Sequence, residues 1–154
     1  MTVGDHESVA SVGFAAWRSS GTLDANFASP AVIEAARREF SIYPANAKGE
    51  VVVAEIDDCV VGWIAREDHP DHISDLWVDP GHQGRGIGSM LIEHVCARMA
   101  SSGIKAARID THANNSGAIR LYERCGFQIV WRGEDYDQAL AVILQKVHLK
   151  KVLR

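Results

Sequence analysis

The chain has 154 residues, of which 47% are apolar and 23% are charged, and its net charge is −4. This composition fits one globular domain, excludes a disordered chain and argues against a nucleic-acid partner. No apolar run approaches the ~20 residues of a membrane span and no secretory signal pattern opens the chain, so we expect a cytoplasmic protein without a membrane partner.

The first fifty residues predict two helices. Apolar residues recur at helical spacing from Val9 to Trp17 behind Asp5, which predicts a helix over about the first 20 residues. Ser29 and Pro30 are typical of a helix start and predict a short second helix from Pro30 to about Phe40. The segment 43–49 is predicted to be a loop.

The pattern then changes to that of strands. Residues 51–56 and 59–65 flank Asp57-Asp58 and predict a hairpin. A third strand is predicted from His72 to Val78, ended by Asp79-Pro80-Gly81. The remaining elements are a long amphipathic helix from about Gly86 to Ala100, a strand over 106–111, a helix over 116–125, and strands over 127–131 and 139–146, separated by polar residues 132–137. This order predicts a single mixed α/β domain over residues 1–154.

The segment Gln83–Ser89 is a glycine-rich turn between a predicted strand and a predicted helix. A helix start carries unpaired backbone N–H groups and a partial positive charge, and glycines let an anion approach them closely. Arg85 adds a cation, so the turn predicts a pyrophosphate site. A P-loop is excluded because no Lys precedes Ser89, and the spacing does not fit a dinucleotide fingerprint. A helix start without a ligand stays open as the alternative.

A second motif runs from Asn115 to Phe127. Asn115 can cap the helix, and Gly126 is the expected left-handed stop. Ala118, Leu121 and Tyr122 are predicted to share one helical face, with Ile119 and Arg120 turned away. From its spacing alone, a tyrosine on such a helix is more often a core residue than a catalytic one.

Together the two motifs resemble the GNAT superfamily of N-acetyltransferases. Its first signature, Gln/Arg-x-x-Gly-x-Gly/Ala after a strand ending in Val-x-Pro, is matched by Gln83–Gly88 and Val78-Asp79-Pro80. Its second, Asn-x-x-Ala-x-x-x-Tyr-x-x-x-Gly-Phe, is matched from Asn115 to Phe127. The resemblance covers roughly Val51 to Val147. It implies a mixed, mostly antiparallel sheet of six to seven strands with about four helices, and Met1–Val3 is too short for the usual first strand.

The resemblance also implies acetyl-coenzyme A as the acetyl-donating cosubstrate. Strand backbone would pair with the pantetheine amides, the glycine turn would bind the pyrophosphate, Asn115 would hydrogen-bond the coenzyme arm, and Tyr122 would stand near the sulfur. The implied coenzyme-binding residues are Leu76, Trp77, Val78, Gln83, Gly84, Arg85, Gly86, Ile87, Gly88, Ser89, Asn115 and Tyr122. No metal is expected, because Cys59, Cys96 and Cys125 are scattered and form no Cys-x-x-Cys or Cys/His cluster. We expect these cysteines to be reduced and buried.

The predicted reaction is direct attack of an amine on the thioester in a ternary complex. Tyr122 is the predicted acid for the leaving thiolate. The base is either His72 or Asp110, at positions where relatives of two kinds carry Glu; a solvated strand-end histidine and a structural carboxylate are the alternatives. His112 and Glu67 are weaker candidates for the base.

The acceptor is predicted to be a small-molecule amine or a peptide N-terminus. Trp63, Trp77 and Trp131 are candidates for its pocket or for the core. Acidic residues predicted on rim loops could attract a cationic amine or simply form a solvated surface: Glu67, Asp68, Glu134, Asp135 and Asp137. A homodimer is also expected. The rival interpretations are a noncatalytic acyl-coenzyme A-binding or sensor domain on the same fold, and a structural or interaction domain in which the motif pair is coincidence.

Overall fold

The computed structural model describes residues 1–21, 29–67, 69–137 and 142–154, and the side chains of Asp137 and Val142 lie outside that description. The helices are α1 (His6–Ser19), α2 (Pro30–Asn46), α3 (Ile87–Ser101) and α4 (Ser116–Arg124). The strands are β1 (Glu50–Ile56), β2 (Cys59–Arg66), β3 (His72–Ile73), β4 (Asp75–Val78), β5 (Ala106–His112), β6 (Gln128–Asp137) and β7 (Val142–Val152). Short 3-10 turns precede α1 and follow β4.

The strands form two sheets. The first has the order β1-β2-β4 and is antiparallel, and the second has the order β3-β5-β7-β6, in which β3 and β5 are parallel. The predicted hairpin is confirmed, with Asp57 and Asp58 in the left-handed region at its turn. Residues 1–21 hold a 3-10 turn and α1 but no strand, as expected. The predicted fold class, a mixed and mostly antiparallel sheet with four helices, is confirmed.

The predicted strand from His72 to Val78 is broken at Ser74. Its first half, β3, pairs with β5, whereas its second half, β4, pairs with β2 in the other sheet. Among the described strands β4 has β2 as its one neighbour, so its other edge is open. The Asp79 N–H donates to Val61 O on β2. Along a strand, successive backbone N–H groups point alternately to one edge and to the other. The N–H groups of Leu76 and Val78 therefore point to the open edge.

Two further expectations about element bounds are wrong. The predicted loop 43–49 is helical as far as Asn46, and α2 continues through Pro44 because its last turns pack inward. Phe40 lies edge-on to Trp77 at 5.4 Å between ring centroids, and Tyr43 stacks on Trp63 at 5.2 Å. The polar residues 132–137 do not separate the last strands but extend β6 along β7. The predicted strand start at 139 lies outside the described residues.

The core has two parts. The larger lies among α3, α4 and both sheets, and it includes Ile119 and Tyr122, so the expectation that Ile119 turns away from the core is wrong. The smaller lies under α1, where Trp63 Nε1 donates to Val9 O at 2.9 Å. The cysteines are free, but the expectation that all are buried holds only for Cys96, because Cys59 is exposed and Cys125 is half-buried. None of the described helices is long and apolar enough to cross a membrane.

Candidate active site

The first cavity, of about 710 Å³, opens where β4 ends and α3 and α4 begin. Its walls are the end of α1, the open edge of β4, the glycine turn and the first turns of α3 and α4. Gln83 Nε2 donates to Val78 O at 3.0 Å and so fixes the turn against the strand. The lining includes Leu76, Trp77, Val78, Gln83, Gly84, Gly86, Ile87, Gly88, Ser89, Asn115, Ser116, Gly117, Ala118, Leu121, Tyr122 and Arg124.

The glycine turn leaves open space in this cavity. Gly84 and Gly86 have φ values of 73° and 84°, which side chains other than glycine rarely adopt. A Cβ added to either would meet no atom within 4 Å. Gly86 caps α3, so the N–H groups of the residues after it lack intrahelical acceptors. Because two helix starts border the cavity, their partial positive charges both favour an anionic ligand there.

Asn115 has a structural role that the sequence anticipated. Its Oδ1 accepts from the Ala118 N–H at 3.2 Å and caps α4, while its Nδ2 donates to Thr111 Oγ1 at 3.3 Å. The side chain also borders both cavities. The contact with a coenzyme arm that the resemblance implies stays a prediction.

A second cavity, of about 530 Å³, lies between α2 and the strands β4 and β5. Five residues line both cavities, so the two spaces meet along them: Leu76, Trp77, Asn115, Ala118 and Tyr122. The second cavity is also lined by Trp17, Glu39, Phe40, Tyr43, Trp63, Glu67, Asp75, Asp110, His112 and Lys146. The two cavities therefore adjoin along these residues, and Tyr122 is one of them.

Tyr122 is 5% exposed, at the seam between the cavities. Burial raises the pKa of its phenol well above the ordinary value, and the negative charges of Asp110 and Asp75 act in the same direction. The hydroxyl is therefore protonated throughout the neutral range, as a proton donor must be.

His72 and Asp110, the two predicted bases, are in contact. His72 Nε2 lies 2.8 Å from Asp110 Oδ1, and Lys146 Nζ lies 4.0 Å from Asp110 Oδ2. Burial acts to raise the pKa of Asp110, but the hydrogen bond and charge of His72, with the charges of Lys146 and His148, outweigh it and lower that pKa. Asp110 lines the second cavity, whereas His72 lines neither cavity and lies behind Asp110.

The other predicted residues divide between the cavities and the surface. All implied coenzyme residues line the first cavity except Arg85, which is exposed and borders neither space. Trp63, Trp77, His112 and Glu67 line the second cavity. Three other predicted acceptor-site residues line neither cavity and instead make contacts elsewhere. Trp131 packs on His148, Glu134 accepts a hydrogen bond from Gln145, and Asp135 lies near His148. Asp68 and the side chain of Asp137 lie outside the described residues.

Sequence reasoning missed Asp75. Its side chain lines the second cavity, is half-buried, and accepts a hydrogen bond from Trp77 Nε1 at 3.1 Å. The signal was present, because Asp75 and Trp77 are two apart on a strand and so face the same side. Tyr43 and Lys146 were also missed; they reach the cavity from α2 and β7, far away in the sequence.

Asp75 should reduce the stability of the protein at neutral pH. Burial raises the pKa of its carboxyl, with the Glu67 and Asp110 charges adding to that effect against hydrogen bonds that oppose it. Between the unfolded and folded pKa values the native state binds more protons, so the free energy of unfolding falls as pH rises through this window. Asp75→Asn should therefore raise Tm by about 2–4 °C at neutral pH, as followed by circular dichroism.

The control for this prediction is the opposite case, Asp71. Arg108 hydrogen-bonds Asp71 at 2.7 and 2.8 Å and lowers its pKa, so Asp71→Asn should leave Tm unchanged or lower it. Well below pH 4, where the Asp75 carboxyl is protonated in both states, the gain from Asp75→Asn should vanish. A variant less stable than wild type at neutral pH would contradict this role of Asp75.

Comparison with known proteins identifies a family and a fold. The family model described as "Acetyltransferase (GNAT) family" matches residues 19–127. The [Ribosomal protein bS18]-alanine N-acetyltransferase of Salmonella typhimurium is 42% identical over 50 residues, which are 32% of this chain and 34% of that protein. The mycothiol acetyltransferase of Brachybacterium faecium is 32% identical over 90 residues, 54% of this chain and 27% of that protein. The similar region thus spans about a third or less of these relatives.

Solved structures show the same fold along nearly the whole chain. The PaiA N-acetyltransferase of Thermoplasma acidophilum, in complex with coenzyme A, superposes with a TM-score of 0.75 at 21% identity, covering 99% of this chain and 95% of that one. YncA of Salmonella typhimurium, a putative acetyltransferase with its cofactor acetyl-CoA, superposes with a TM-score of 0.69 at 16% identity. The superposition covers 100% of this chain and 91% of that one.

Proposed function

Because the chain belongs to the acetyltransferase (GNAT) family, we propose that it moves an acetyl group from acetyl-coenzyme A to a primary amine within a ternary complex. The observation that carries this proposal is the meeting of the two cavities at Tyr122. The first cavity would hold the coenzyme and the second the amine, so the reacting atoms would lie beside a buried proton donor.

The first cavity suits coenzyme A in three respects. The N–H groups at the start of α3 and the open space at Gly84 and Gly86 fit a pyrophosphate. The open edge of β4 presents the N–H groups of Leu76 and Val78 to the amides of a pantetheine arm, which could add to the sheet like a further strand. The same edge offers an N–H donor for the oxyanion that forms when the amine attacks the thioester carbon.

The transfer forms a C–N bond and breaks a C–S bond, and each end needs a proton to move. Tyr122 donates to the departing sulfur as the C–S bond breaks. A free amine of pKa ~10 is mostly protonated at neutral pH and must lose its extra proton before it attacks. We assign that proton to Asp110, which lines the acceptor cavity. The carboxylate accepts it on Oδ2, because Oδ1 lies 2.8 Å from His72 Nε2 and is held by that ring, which makes His72 a positioning residue. The attacking nitrogen loses a second proton as the amide forms, which balances the proton that Tyr122 gives to sulfur.

Replacement of the carboxylate tests the assignment of Asp110. Asp110→Asn keeps the shape of the side chain, so it should lower kcat by about 10²-fold while the affinity for coenzyme A stays within about twofold. Stopped assays of acetylated product and calorimetric titration with coenzyme A measure the two quantities. Unchanged kcat would remove Asp110 from the mechanism.

The proposed activity is tested by incubating the protein with acetyl-coenzyme A and a panel of small primary amines and short peptides with free N-termini. We expect amine-dependent release of free thiol with an equal amount of acetylated amine. The rival, a noncatalytic acyl-coenzyme A-binding domain, predicts coenzyme binding without amine-dependent release. A homodimer and a cytoplasmic location stay predictions.

A further inference from the structure

The second cavity has more negative than positive charge on its wall. Four carboxylates line it, and of these Asp110 is balanced by His72 and Lys146. Glu39, Glu67 and Asp75 form no ion pair within the described part of the chain; Glu67 instead accepts from the backbone N–H of Lys48 at 3.0 Å. A space lined by one sign of charge concentrates ligands of the opposite sign, so this wall favours a cation.

Aromatic faces form the remainder of the wall. Trp17, Phe40, Tyr43, Trp63 and Trp77 all line the cavity, and they are locked by ring contacts at 5.2–6.4 Å. Aromatic faces attract ammonium groups and also pack against alkyl chains. The Tyr43 hydroxyl is buried and has no hydrogen-bond partner in the described residues. Buried polar groups are normally paired, so this unpaired oxygen is an exception among the residues that line the cavity.

Asp75 lies on the wall of the second cavity, next to a residue that borders both cavities. Its Oδ1 accepts a hydrogen bond from Trp77 Nε1 at 3.1 Å, and Trp77 lines both spaces. Glu67 lies close enough to interact electrostatically with both Asp75 and Tyr43. The carboxylates thus extend from the seam between the cavities into the second cavity. Asp75, a half-buried carboxylate without a cation, costs stability, and a cationic ligand that pairs with it would offset that cost.

We propose, on the basis of the proposed function, that the acceptor is a small aliphatic amine with a second ammonium group a few bonds from the nitrogen that is acetylated. Asp75 holds the reacting end, the aromatic rings surround the alkyl chain, and Glu67 and Glu39 face the other ammonium. An acceptor with a negative or neutral far end lacks this last interaction.

Three acceptors of equal chain length test the proposal: 1,4-diaminobutane, 1-aminobutane and 4-aminobutanoate. They differ in the far end, which is cationic, neutral or anionic. We expect kcat/KM for the diamine to exceed that for the monoamine at least ~10-fold, and the amino acid to be the poorest. Equal or better turnover of the monoamine would overturn the proposal while leaving the acetyltransferase function intact. Coenzyme binding without thiol release for any amine would instead refute the function itself.

The selectivity between acceptors should depend on Asp75. Asp75→Asn should reduce the ratio of diamine to monoamine kcat/KM by about 10-fold or more, because the uncharged amide no longer adds to the negative wall. Glu93→Gln is the matched control, since Glu93 is an exposed carboxylate on α3 that lines neither cavity. Its ratio should equal that of wild type. An unchanged diamine-to-monoamine ratio in Asp75→Asn would overturn the proposal that the second cavity sets this selectivity. An equal fall of the ratio in Glu93→Gln would overturn it as well.

Discussion

Tyr122→Phe is expected to lower kcat by about 10²–10³-fold without weakening the binding of coenzyme A. The phenol is buried where the two cavities adjoin, and its raised pKa means that it carries its proton at neutral pH. Phenylalanine fills the same volume, so the ring contact with Phe127 at 6.3 Å should persist. The measurement is initial rate at saturating acetyl-coenzyme A and amine, with the coenzyme affinity taken from calorimetric titration.

A matched control separates this effect from a general loss of a tyrosine hydroxyl. Tyr136 on β6 is 57% exposed and lines neither cavity. Tyr136→Phe should have wild-type kcat. If Tyr122→Phe also kept wild-type kcat, Tyr122 could not be the acid, and the thiolate would have to leave without help from this residue.

Gly86→Ala is expected to raise the Kd for coenzyme A by about 10-fold or more. Gly86 has φ of 84°, a conformation that costs other residues roughly 1–2 kcal/mol. The added methyl group meets no protein atom within 4 Å, and Gly86 lines the first cavity. Relief of the backbone strain would in turn shift the N–H groups at the start of α3 away from the ligand.

Gly103→Ala is the control for backbone strain. Gly103 has φ of 82°, also has open space at its Cβ position, and lies beyond the C-terminal end of α3, away from both cavities. Both variants should lose similar stability in thermal unfolding, but Gly103→Ala should bind coenzyme A like wild type. Equal affinities for the two variants would mean that the glycine turn does not bind the coenzyme.

Local sequence patterns were sufficient for most helices and strands. The hairpin at Asp57-Asp58 and the start of α2 at Pro30 follow from turn and capping chemistry. The end of α4 follows in the same way, since Gly126 has φ of 88°. The two motifs also indicated the family, which the fold and the family model confirm. Each of these features depends on residues that are close in the sequence.

The features that were not predicted depend on tertiary contacts. A strand that changes partner at Ser74 has the same alternating pattern as one that does not, so the alternation did not reveal the break. An edge of this strand that is free to pair with the pantetheine arm was implied only by the resemblance to the family. The continuation of α2 through Pro44 depends on the stacking of Tyr43 on Trp63. The acceptor cavity is lined by α2, β4 and β5, which are far apart in the sequence, so its lining depends on how these elements pack.

The central claim is that two substrates are held at once, on either side of Tyr122. Initial rates measured over a matrix of acetyl-coenzyme A and 1,4-diaminobutane concentrations test it most directly. Simultaneous occupancy predicts double-reciprocal lines that intersect, with no acetyl group left on the protein when the amine is omitted. Parallel lines, together with an acetylated protein in the intact mass spectrum, would contradict transfer between the two cavities.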